Sequence, residues 1–146
     1  MKQLTYKANI SAPAKIVWDT MLGAETYKVW TAVAWPDSRY IGEMGPNNEI
    51  RFVAAGGAGT RGVIKTYRPY ELVVFEHLVV LLPGGIEDRE SDMAKTWIGS
   101  IEQYAFTENA GVTELVVTMT INPKWEAMFN NDWPKALAKL KEICEG

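Results

Sequence analysis

The chain has 146 residues, the size of a single domain that buries about 70% of its unfolded surface. Hydrophobic residues make up 47% and charged residues 23%, ordinary globular values that exclude a disordered chain. The formal net charge of -3 argues against nucleic acid as a partner, and no apolar run reaches the ~18 residues of a membrane span. The opening segment MKQLTYKANI lacks the apolar region of a signal peptide, and the one cysteine, Cys144, suits a reducing compartment, so a cytoplasmic location is expected. With one histidine and one cysteine, a closed zinc site built from those ligands is excluded, and no cofactor is called for. The unusual feature is aromatic: six Trp, six Tyr and four Phe.

Residues 3–10 alternate, with Leu4, Tyr6, Ala8 and Ile10 on one side, and read as a strand. Ser11 stands where a helix cap belongs and Pro13 suits a first turn. Ala14, Val17, Trp18, Met21 and Leu22 then recur at helical spacing up to Gly23. A second short helix over 24–32 places Tyr27 and Trp30 on one face.

Beyond that corner the pattern is that of an antiparallel sheet, with strands over 38–44, 48–54, 60–68, 71–82, 97–107 and 113–121. Turn-forming residues separate them, such as Gly45-Pro46-Asn47-Asn48, Pro83-Gly84-Gly85 and Asn109-Ala110-Gly111. The one long separator carries Glu87, Asp88, Glu90 and Asp92 and reads as a solvated loop. Trp125, Met128 and Phe129 share a short helical face after Pro123, and Asn130-Asn131 reads as an interruption. Asp132 then caps a last helix whose stripe is Trp133, Ala136, Leu137, Leu140, Ile143 and Cys144. Such a stripe must press on the sheet. The expectation is an α+β chain, one domain over residues 1–146, with a curved antiparallel sheet of about seven strands around a long C-terminal helix.

That order, with the residues that mark it, resembles the START-related helix-grip (SRPBCC) superfamily, which includes the birch-pollen allergen. Within it the chain is most similar to the bacterial branch of heat-shock-protein ATPase activators, often grouped with polyketide cyclases. The resemblance rests on Ile10-Ser11-Ala12-Pro13 running on to Trp18, on Gly62-Val63-Ile64 with Arg68-Pro69, and on Val74-Phe75-Glu76-His77-Leu78. It continues through Trp97-Ile98-Gly99, Glu102 to Glu108, and Trp133-Pro134 to Lys141. None of these is a catalytic signature. The resemblance implies a binding domain for a small hydrophobic or aromatic molecule, a cyclase or hydro-lyase on the same cavity, or a co-chaperone-like interaction domain; it also allows a homodimer.

Gly57-Ala58-Gly59-Thr60-Arg61-Gly62 spells G-x-G-x-x-G, but a strand follows where a dinucleotide site needs a helix, so nucleotide binding is rejected. His77 is the only histidine, inside an apolar strand whose two faces are equally greasy. It is either a cavity-facing imidazole able to move a proton or a structural residue. Glu102 shares a face with Tyr104, and the carboxylate is either in the cavity as an acid or base or out in solvent. Arg51 either meets an anionic ligand group or sits outside the sheet. The aromatics Trp18, Trp30, Trp35, Phe75, Trp97, Tyr104, Phe129 and Trp133 are too many for a core alone, and some of them should line a cavity.

Overall fold

The computed structural model describes residues 1–146. Strand β1 (Lys2–Ile10) turns at Pro13 into helices α1 (Ala14–Leu22) and α2 (Ala24–Ala32). Strands β2 (Arg39–Ile41), β3 (Glu49–Val53), β4 (Gly59–Arg68) and β5 (Leu72–Leu82) follow. Next come β6 (Ile86–Asp88), helix α3 (Asp92–Trp97), β7 (Ile101–Asn109) and β8 (Val112–Ile121). The chain ends in the 20-residue helix α4 (Glu126–Glu145).

The strands form one antiparallel sheet in the order β1-β8-β7-β5-β4-β3-β2, with β6 pairing to the end of β5 as an eighth strand. The alternation read from β1 holds: Leu4 and Ile10 are buried, with Tyr6 and Ala8 packed on the same core. One cluster of 24 buried residues joins the sheet face to α1, α2 and α4, so the stripe of α4 does press on the sheet as expected. Trp133, Ala136, Leu137 and Leu140 are its buried positions.

Four local expectations need correction. The acidic segment is not a bare loop, because Asp88 organises it: its Oδ1 accepts the N–H groups of Glu90 and Ser91, and Ser91 Oγ caps α3 through the Ala94 N–H. Trp97 therefore ends a helix, and the strand assigned from 97 begins at Ile101. Asn130-Asn131 does not interrupt the last helix, since Phe129 and Trp133 on either side are both buried and hold it in register. Because the helix already runs from Glu126, Asp132 lies inside it and does not cap it, and Pro134 is interior as well. At the other end Ser11 is not the cap of α1. The helix starts after Pro13, and the first N–H, that of Ala14, goes to Glu108 Oε1 on β7 at 2.7 Å.

The glycine motif has a structural purpose. The register between β4 and β5 shifts at Arg61/Gly62, and a Cβ on Gly62 would overlap the Glu76 carbonyl oxygen. A Cβ on Gly59 would likewise overlap the Phe52 carbonyl. These glycines let three strands approach beside His77, and a strand follows them as expected.

Candidate functional site

Helix α4 packs mainly against β1, α1 and α2. Over β3, β4, β5 and β7 the concave face keeps a cavity of about 380 Å³, lined by 20 residues of which 15 are hydrophobic. Each surrounding element supplies a part. Helix α2 gives Tyr27 and Trp30, the following loop Trp35, β3 Phe52, β5 His77 and β7 Glu102 and Tyr104. Met93 and Trp97 come from α3, and Met128, Phe129 and Trp133 from α4. Met93 and Met128 are also partly exposed, which places flexible thioethers at the rim.

Eight of the sequence-derived residues meet there: Trp30, Trp35, His77, Trp97, Glu102, Tyr104, Phe129 and Trp133. Three do not. Trp18, on α1, is buried among Tyr67, Tyr70 and Phe106, away from the cavity. Phe75 lies wholly in the core, behind Phe52 and Tyr104. Arg51 stands opposite Arg61 on β4, while its neighbour Phe52 takes the cavity side. Tyr27, Phe52 and Thr60 are lining residues that the sequence reading did not single out. Phe52 was accessible from strand period once Ile50 was placed in the core.

Strand parity places Phe75 and His77 on the inner face and Glu76 on the other, where it pairs with Lys65 at 3.2 Å. The ladder between β5 and β7 ends at Glu76 and Ile101, with Phe75 directly opposite Glu102. His77 is then the diagonal neighbour of Glu102, and its backbone is fixed by Ser100 and Gly99. The imidazole Nε2 lies 3.2 Å from Glu102 Oε1, and Nδ1 lies 2.8 Å from Thr60 Oγ1. Tyr104 donates its hydroxyl to the other carboxylate oxygen, Glu102 Oε2. A polar line Thr60–His77–Glu102–Tyr104 thus crosses an otherwise apolar wall. Only 6% of the His77 side chain and 14% of the Glu102 side chain is exposed.

The carboxylate marks its surroundings. Burial, then the charge of Glu102, pushes the Tyr104 phenol well above the usual tyrosine range. The same two causes in the same order raise Tyr27 on the far side. Among the cavity indoles Trp30 donates to the Met21 carbonyl and Trp35 to Asp132, but the buried Trp133 N–H has no partner.

No family model matches the chain, and no curated protein matches it in sequence. Solved structures do match in shape. Protein MLL2253 from Mesorhizobium loti aligns with a TM-score of 0.77 at 11% identity, over 97% of this chain and 96% of that one. The Aha1 dimer from Colwellia psychrerythraea aligns with a TM-score of 0.72 at 17% identity, over 99% and 97%. DynU16, from the dynemicin biosynthetic locus, aligns with a TM-score of 0.71 at 14% identity, covering 97% of this chain and 46% of its own. The chain has the helix-grip fold. The expected curved sheet, the two helices after β1 and the long closing helix are all present. At these identities the likeness carries the fold alone. No helix is long and apolar enough to cross a membrane.

Proposed function

We propose that the chain is one ligand-binding domain that holds a small hydrophobic or aromatic molecule between the sheet and α4. The observation that carries this reading is the cavity of about 380 Å³ with 15 hydrophobic residues among its 20 lining ones. That volume falls within the roughly 300–1,000 Å³ of small-molecule sites, and the wall shows their usual composition, largely apolar with a few convergent polar groups. Affinity comes from apolar area removed from water, at about 25 cal/mol per Å². The line Thr60–His77–Glu102–Tyr104 sets orientation, because a ligand polar atom left unpaired against it would lose binding.

A second reading is favoured by one contact. An imidazole hydrogen-bonded to a carboxylate inside a cavity is the arrangement of a general acid–base, and a cyclase or hydro-lyase reaction would use it. One experiment separates the two. The protein is titrated with an aromatic and lipid panel by tryptophan fluorescence, and each bound compound is extracted and weighed by mass spectrometry. Saturable binding with the compound returned unchanged supports the binding domain. A converted compound, with conversion lost in His77→Gln and the fold retained, supports the enzyme. Silence to the whole panel, with Ala58→Trp at the cavity wall indistinguishable from the wild type, counts against both.

A further inference from the structure

The charge pattern of the cavity narrows the ligand class. Its 20 lining residues include one carboxylate, Glu102, and neither lysine nor arginine. Arg39 reaches the wall only from outside, donating to the Ala54 carbonyl at 3.3 Å, and does not line the space. At the opposite side Asp132 accepts from the Trp35 indole at 3.2 Å, adding a second negative group behind the aromatic wall.

The His77–Glu102 contact does not require a cation on the ring. A neutral imidazole satisfies both ends of the line, with the Thr60 hydroxyl donating to Nδ1 and Nε2–H donating to Glu102 Oε1. Tyr104 supplies a neutral donor to Oε2. Each carboxylate oxygen keeps a lone pair free for a further donor. After burial, the Glu102 charge is the next cause that raises the Tyr27 and Tyr104 phenols on two walls of the cavity.

Around this carboxylate stand the indoles of Trp30, Trp35, Trp97 and Trp133, with Tyr27 and Phe52. They are linked as neighbours: Trp35 and Trp133 at 5.2 Å, Trp30 and Trp133 at 6.0 Å, Tyr27 and Phe52 at 6.2 Å between centroids. Aromatic faces carry negative potential and attract a weakly hydrated cation, most strongly where water is excluded. An anion placed here would meet Glu102 with His77, already hydrogen-bonded to that carboxylate, as the only basic side chain, a costly arrangement for a buried charge.

The geometry points to a hydrophobic organic cation, an amine or quaternary ammonium on an apolar or aromatic body, as the ligand class of this cavity. The inference rests on the binding reading above and adds the sign of the charge. In it the cationic head lies among the indoles within reach of Glu102, and the apolar body extends toward Met93 and Met128 at the rim.

Three probes of nearly equal shape test it: benzyltrimethylammonium, its neutral carbon isostere neopentylbenzene, and the anion phenylmethanesulfonate. Each is titrated by tryptophan fluorescence against the whole chain, wild type and Glu102→Gln. The expected result is a cation bound at least about tenfold more tightly than the neutral isostere in the wild type, with the anion weakest. Glu102→Gln should remove most of that preference, read as the ratio of cation to neutral-isostere affinity within the variant. Should Glu102→Gln fail to fold, the ranking of the three probes on the wild type decides alone. A neutral or anionic probe that binds as tightly as the cation overturns the inference and leaves the cavity reading standing. Silence to all three, in a protein that binds other members of the wider panel, also overturns the cation alone. Silence to both sets overturns the two readings together.

Discussion

A phenol held against a carboxylate and away from water resists losing its proton. Tyr104 is 2% exposed, donates to Glu102, and is pushed well above the usual tyrosine range by burial first and by that charge second. Tyr27 is raised for the same reasons. In the unfolded chain both titrate near about pH 10, so above that pH the unfolded state holds fewer protons than the folded one. The sign follows: stability from these groups is complete below about pH 10 and declines as pH rises beyond it, each adding up to about 1.4 kcal/mol per pH unit to the slope. Urea unfolding between about pH 9 and about pH 11 should show this decline, and Tyr104→Phe should reduce it. That variant should also cost about 2 kcal/mol at neutral pH, because it removes a hydrogen bond to a charged group. A slope identical in wild type and variant would exclude the buried-phenol assignment. Period two in the sequence already put Glu102 and Tyr104 on one face, and the structure joins them. It could not choose the face for His77, because Val73, Val79 and Leu81 on one side of β5 are as apolar as Leu72, Val74 and Val80 on the other. The deciding contacts, Thr60 and Glu102, come from other strands.

At the scale of elements, the site depends on how closely β4 and β5 approach. Gly62 pairs with His77 at a register shift, and the Glu76 carbonyl occupies the space that a side chain would need. The obstruction is backbone, which cannot rotate away. Gly62→Ala is therefore expected to destabilise the protein by about 2–3 kcal/mol, and to weaken ligand binding by moving His77 out of line with Thr60 and Glu102. Urea denaturation and the fluorescence titration check the two effects separately. A loss below about 0.5 kcal/mol would mean that the strands can separate at no cost. Strong period made most elements legible: the stripe of α1 and the alternation of β1 hold, and α4 buries its expected stripe from Trp133 to Leu140 while Ile143 and Cys144 stay half-buried. Helix α3 was hidden because only Ala94 is buried from it, and its start is set by Asp88 and Ser91 hydrogen bonds rather than by an apolar face. Without it Trp97 falls on the wrong element, although the side chain does line the cavity. The Asn130-Asn131 interruption failed for the opposite reason, since local preference yields where Phe129 and Trp133 dock the helix.

For the whole molecule, the cavity follows from the packing of one helix on a sheet wider than itself. Helix α4 occupies the β1 side, α2 reaches the opposite edge at β2, and over β3–β5 aromatic side chains are left facing one another across a gap. Surface of that kind, apolar and under-packed, forfeits contacts that a close-packed core would make. A ligand that fills the space restores them and binds only the folded chain, so its free energy of binding adds directly to stability. At a free concentration one hundred times Kd the gain is about 2.7 kcal/mol. For a chain of this length that corresponds to a rise in Tm of about 5–10 °C. Thermal unfolding with any compound that passes the fluorescence test should show this shift, growing with the logarithm of ligand concentration. Ala58→Trp places an indole at the cavity wall and should abolish the shift while leaving the Tm of the free protein nearly unchanged. A full shift retained in that variant would move the binding site elsewhere on the molecule, and the groove between β1 and α4, lined by Tyr6, Pro134 and Leu137, would be the next surface to probe.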